Sequence, residues 1–82
     1  MNEQLDIEQI TQRLKTSFQP YKCVVEEKDY KNAICIHVID RPNITIIHIK
    51  TKPISKINNE SKLSTYIEQL KETIRGKGYQ IT

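Results

Sequence analysis

One cysteine and two histidines carry the side chains of this chain that are best suited to chemistry. Cys35 and His37 lie two residues apart in a strand-like run, so their side chains share one face. His48 lies in the next run, and a tight turn places it opposite His37, with directly paired Cβ atoms roughly 5 Å apart. Zinc favours such ligands but takes three or four, with supporting partners, and no nearby carboxylate offers a fourth. We therefore predict no metal site and interpret these residues as part of an interface.

The same residues are poor candidates for catalysis. A cysteine beside a histidine can act as nucleophile and base, but a cysteine within an isoleucine-rich strand is more often an inert apolar residue. Gly76 and Gly78 are the only glycines and follow a helical pattern, so there is no glycine-rich phosphate loop. A chain of 82 residues also has little room for a deep pocket. We predict that the protein is not an enzyme and binds no cofactor.

Four lysines near the predicted start of a second helix form a separate group. These candidate phosphate contacts are Lys50, Lys52, Lys56 and Lys62. Lysines contact phosphates without reading bases. The formal net charge of +3 is mild for a nucleic-acid-binding protein, and Glu60 interrupts the cluster. We therefore expect nucleic-acid binding to be weak and salt-sensitive, or absent.

Two helices and three strands must position these residues within a single domain over residues 1–82. The apolar stripes of the helices are Ile7, Ile10, Leu14 and Phe18, then Leu63, Ile67, Leu70 and Ile74. Asp6 and Gln9 have capping-box spacing, and Pro20 ends the first helix near Phe18. Strands are predicted over 21–27, 33–39 and 44–50, and a loop over 51–60. The predicted fold is α+β, in the order α-β-β-β-α, an antiparallel meander with both helices packed on one face.

Two of these strands, residues 34–39 and 44–49, are apolar on both alternating faces, although a half-buried strand needs only one apolar face. With the helices on one face, the residues predicted to form an interface on the other are Cys35, His37, Ile39, Ile44, Ile46 and His48, with Val24 beside them. We expect His37 opposite His48, and Ile39 opposite Ile46. An exposed apolar surface on a small domain usually marks an interface. A homodimer is the simplest partner; cover by the tail or by the 51–60 loop, and another protein, are the alternatives.

The chain shows neither a signal peptide nor an apolar stretch near 18 residues long. Two cysteines are too few for a disulfide framework, and free thiols are typical of a reducing compartment. We therefore expect a cytoplasmic protein without a membrane partner.

A local motif links the first helix to the first strand. It reads Ser17-Phe18-Gln19-Pro20-Tyr21-Lys22-Cys23, and Asp40 and the Ile67, Leu70 and Arg75 pattern follow later. In these features the chain resembles small uncharacterised proteins of gammaproteobacteria, known best from pseudomonads and grouped as domains of unknown function. It departs from them in its longer 51–60 loop. The resemblance implies a bacterial protein and carries over no catalytic residue and no ligand.

We expect a non-enzymatic protein-binding or regulatory module that acts through the apolar face of its sheet as a homodimer. Double-stranded RNA-binding domains share the element order α-β-β-β-α, so a nucleic-acid-associated protein is one alternative. A phage-borne inhibitor of a host complex is another.

Overall fold

The computed structural model describes residues 4–30, 32–41 and 44–81. Its elements are α1 (Ile7–Ser17), β1 (Lys22–Lys28), β2 (Ala33–Arg41), β3 (Ile44–Pro53), a 3₁₀ turn (Ile54–Lys56) and α2 (Glu60–Gly76). The three strands pair antiparallel in the order β1-β2-β3. The predicted α+β fold with the order α-β-β-β-α is confirmed. The predicted turn at residues 42–43 lies outside the described residues.

Side-chain caps fix where both helices begin. The Asp6 carboxylate accepts a hydrogen bond from the Gln9 amide at 2.8 Å, and the Gln9 side chain accepts one from the Asp6 amide at 2.9 Å. This is the predicted capping box. The cap of α2 is Asn59, whose side chain accepts a hydrogen bond from the Lys62 amide at 2.8 Å. Each such cap is worth about 1 kcal/mol.

The end of α2 is set by Gly78, whose φ of 95° is a left-handed conformation that a side chain would disfavour. The Gly78 amide bonds to the Arg75 carbonyl at 3.0 Å, and the Tyr79 amide bonds to the Ile74 carbonyl at 3.3 Å. This pair of bonds is the Schellman motif. It turns the chain so that Tyr79 packs against the core.

Both helices bury their apolar stripes against the same face of the sheet. The largest fully buried side chains include Phe18, Ile10 and Leu14 from the first stripe and Leu63 and Ile74 from the second. Arg13 of α1 pairs with Glu60 and contacts Ser64 of α2, which ties the helices together at the surface. Because that ion pair is exposed, its contribution is at most about 1 kcal/mol, and apolar burial holds the layers together.

The C-terminal tail, as far as Ile81, joins the core on the helix side of the sheet. Ile81 is 8% exposed within the core cluster. The Tyr79 ring meets Tyr21 edge to face at 5.8 Å between centroids, and the Tyr21 hydroxyl donates to the Gln80 carbonyl at 2.9 Å. The tail is therefore fixed on the helix side of the sheet.

The segment from Thr51 to Glu60 differs from the predicted loop. Strand β3 continues to Pro53, because Lys52 pairs with Ile34 and Pro53 pairs with Ala33 at the start of β2. Proline is tolerated there because it ends an edge strand. A 3₁₀ turn follows, and Ile57 directly after it is fully buried.

A β-bulge in β3 changes the predicted register. Val38 pairs with Ile47, but Ile39, the next residue, pairs with Thr45, so Ile46 is an extra residue on its strand. Ile46 and Ile47 are only 2% and 6% exposed, and both belong to the core. The prediction that Ile46 lies on the outer face opposite Ile39 is wrong. The bulge carries Ile46 into the core, and Thr45 takes its predicted place.

We predict that Ile46→Ala lowers the free energy of unfolding by about 2–5 kcal/mol, the usual cost of truncating a buried isoleucine. The matched control is Ile44→Ala on the same strand, where 40% of the side chain is exposed. We expect a loss of less than about 1 kcal/mol for this control. Urea unfolding of both variants measures the difference, and equal losses would contradict the bulged register.

The pH dependence of stability should report on Cys23, which is 7% exposed. Burial raises the pKa of the thiol from 9.0 to about 11, partly offset by the nearby Lys15 ammonium. Because the unfolded chain releases this proton at lower pH than the folded protein, stability should fall as pH rises from about 9 towards 11.

Thermal unfolding across that pH range tests this expectation. Cys23→Ala should lower Tm throughout but weaken its dependence on alkaline pH. In this variant the remaining slope of Tm against pH should include a contribution of the same sign from Tyr66. Burial also raises the pKa of the Tyr66 phenol. An unchanged slope in Cys23→Ala would show that the thiol is not the titrating group.

Candidate functional site

The side of the sheet turned away from the helices carries most of the predicted interface. Paired strand residues point to the same side, so Val24 and His37 share this side, with Lys22 and Ile39 next to them at one end. We call it the open face and define it by eight residues: Lys22, Val24, Glu26, Cys35, His37, Ile39, Thr45 and His48. Of the predicted interface residues, Ile44 lies beside it at the start of β3, and Ile46 lies in the core.

The two histidines form the centre of the open face. His37 pairs with His48 across β2 and β3, as predicted, and their rings stack with centroids 4.6 Å apart and planes 21° from parallel. His37 Nε2 lies 3.0 Å from Thr45 Oγ1, and His48 Nε2 lies 3.6 Å from Cys35 Sγ. Each ring therefore has one neighbouring polar partner, which orients the pair.

This arrangement is poorly suited to binding a metal. The two rings lie face to face, and their Nε2 atoms have different partners, Thr45 for His37 and Cys35 for His48. Within residues 4–30, 32–41 and 44–81, no group of three or more His, Cys, Asp or Glu side chains could hold an ion. Cys35 is 8% exposed, which limits access of a substrate to its thiol. What the open face offers is a surface that another molecule could contact.

The apolar part of the open face is narrower than the sequence predicted. Val24 and Ile39 are half-buried, and Ile44 is 40% exposed at the start of β3. Both helices and the tail pack against the other side of the sheet. Without Ile46, the apolar side chains form a strip rather than a broad patch.

Opposite charges flank this strip on β1. Lys22 precedes Val24 by two residues and Glu26 follows it by two, so all three point to the same side. Lys22 and Glu26 are exposed. The charge pattern along β1 is therefore antisymmetric about Val24.

A second candidate site lies on the helix side of the sheet, between β3, the 3₁₀ turn and α2. It is a cavity of about 300 Å³, which we call the lysine cleft. Its lining residues are Lys52, Lys56, Ser61, Lys62, Thr65, Tyr66 and Gln69. The structure thus brings together three of the four lysines that the sequence singled out. Lys50 is not in the cleft: it follows the core-packed Ile49 and points towards the open face.

Contacts inside the lysine cleft hold two of its lysines in place. Lys52 Nζ lies 4.2 Å from the centre of the Tyr66 ring, a cation–π contact. Lys62 Nζ donates to the Ser55 carbonyl at 3.3 Å. Burial raises the pKa of the Tyr66 phenol. The ammonium groups of Lys52 and Lys62 are therefore each positioned by a contact within the protein.

The hydroxyl groups of the lysine cleft were not predicted from the sequence. Ser61 and Thr65 are four residues apart on α2, as are Lys62 and Tyr66. Helical residues at this spacing lie on one face. This spacing can be read from the sequence. Only the position of β3, however, shows that this face of α2 meets the lysines.

Compared with family models, curated proteins and solved structures, the chain matches none. The resemblance to pseudomonad-type proteins stays a prediction. In the part of the chain that the structure describes, neither helix is both long and apolar enough to cross a membrane.

Proposed function

We propose that this protein is a non-enzymatic binding module that dimerises weakly through its open face. The observation that carries the proposal is the uncovered apolar strip of Val24 and Ile39, flanked by Lys22 and Glu26. Antiparallel sheets often leave one face to water, but the residues on that face are then usually polar. Here β2 presents the half-buried His37 and Ile39 instead, with Cys35 almost fully buried beside them.

The occupant that suits this face is a second copy of the chain. A twofold axis across the strands at the level of Val24 and His37 would stack β1 on β1, running in opposite directions. Lys22 of each copy would then face Glu26 of the other, and Ile39 would face Cys35. An isologous interface needs this self-complementarity. Charge complementarity favours association and suppresses wrong arrangements.

The size of the face predicts a weak dimer. Three strands span roughly 14 Å, and seven paired residues span roughly 23 Å, which gives about 320 Å² of projected area per copy. A standard stable interface buries roughly 800 Å² per partner. We therefore expect dissociation in the micromolar range or weaker, with each copy folded on its own.

Charge reversal tests the proposed pairing. Lys22→Glu should place two carboxylates together at each end of the interface, and Glu26→Lys should place two ammonium groups together. Each single variant should weaken dimerisation about tenfold, since two like-charge contacts replace two attractive ones. The double variant, Lys22→Glu with Glu26→Lys, restores opposite charges and should recover most of the affinity. Sedimentation velocity over a concentration series measures all three.

Lys28→Glu is the matched control, because Lys28 lies on the same side of β1 but has no counterpart across the proposed axis. The dissociation constant of the Lys28→Glu dimer should change less than twofold, apart from a salt-dependent effect of the altered net charge. A wild-type protein that stays monomeric at millimolar concentration would overturn the proposal. So would a double variant that is weaker than both single variants.

A further inference from the structure

The charge of the lysine cleft is unbalanced. Its lining contributes three ammonium groups, three hydroxyl groups and one amide, and no carboxylate. Within the described residues, none of Lys52, Lys56 and Lys62 forms an ion pair with an acidic side chain. The carboxylate of Glu60, the acidic residue nearest in sequence, is paired with Arg13. Three like charges around one cavity repel each other, and an anion within it would offset that repulsion.

We infer that the lysine cleft binds the phosphate group of a phosphorylated ligand. A phosphate carries several strong acceptor oxygens and one or two negative charges, which match three lysine donors and the hydroxyls of Ser61 and Thr65. This site is separate from the proposed dimer interface, because Lys52 pairs with the core residue Ile34 and lies on the opposite side of the sheet.

The geometry also limits which part of the ligand is recognised. A nucleotide base usually stacks on an aromatic face, but Lys52 already lies over the ring of Tyr66. The rest of the lining is polar. The cleft is therefore suited to the phosphate itself, whether free or in a nucleic-acid backbone, and not to a base.

Titration of the full chain with inorganic phosphate, followed by amide and lysine side-chain NMR signals at constant ionic strength, tests this inference. Saturable shifts should concentrate on Lys52, Lys56, Lys62 and the Ser61 amide. Lys56→Gln and Lys62→Gln should each weaken binding about two- to fivefold, the usual worth of one exposed ion pair. Lys50→Gln is the matched control, because it removes the same charge from the same strand outside the cleft, and should change binding less than twofold.

A second titration, with a 20-base-pair RNA duplex, identifies the source of the phosphate. If the backbone is the ligand, the duplex binds more tightly than inorganic phosphate. Each lysine removed from the cleft then lowers the slope of log K against log salt concentration by about one. If small phosphorylated molecules are the ligand, the duplex shows no advantage and inorganic phosphate still shifts the cleft.

Two results would overturn the inference. One is the absence of saturable shifts in the cleft with both probes. The other is an equal effect of Lys50→Gln and Lys62→Gln, which would show that only the net charge of the protein attracts the anion. Dispersed amide spectra of each variant confirm that it remains folded, so a loss of binding is not a loss of structure.

Discussion

Burial of one sheet face beneath two helices is the constraint on which the rest of this structure depends. A chain of 82 residues can bury only roughly 60% of the surface that it exposes when unfolded. The apolar stripes of both helices, the tail and the residues after β3 all pack on the same side of the sheet. Phe18, Ile36 and Leu63 are fully buried there. No described element is left to cover the other side. The open face is thus a consequence of how the chain builds its core.

Local rules predicted the elements well, because their signals lie close together in the sequence. The capping box of Asp6 and Gln9 and the left-handed Gly78 each depend on interactions within a few residues. The opposition of His37 and His48 was also predictable, because each histidine lies four residues from the paired residues Arg41 and Ile44. These features need no knowledge of the tertiary structure.

The errors came from positions where tertiary packing decides between alternatives. An alternating pattern assigned Ile46 to the outer face, but the core has room for both Ile46 and Ile47, and the bulge admits them. The Lys77 ammonium donates to the Ile46 carbonyl at 2.8 Å, which gives this bulged edge a partner from beyond the end of α2. Likewise, the pairing of Lys52 with Ile34 extends β3 into the predicted loop. A second shift in the register lies between Ile34 and Ile36, where β3 has an extra residue between Ile49 and Lys52. This shift places Lys50 and Lys52 on opposite sides of the sheet, so that Lys52 lines the lysine cleft and Lys50 does not.

The two candidate sites lie on opposite sides of the sheet, so each could act without blocking the other. In the proposed dimer both lysine clefts would remain accessible and would be related by the twofold axis. Because each cleft lies on the helix side of its own sheet, the two clefts would lie on opposite outer surfaces of the dimer.

Intermolecular NOEs in a mixed sample of isotope-labelled and unlabelled chains test the central claim most directly. The proposed dimer predicts contacts between the Val24 methyl groups of the two copies, and between Ile39 of one copy and Cys35 of the other. These contacts should weaken on dilution. Intermolecular contacts confined to the helices, or none at millimolar concentration, would contradict the account.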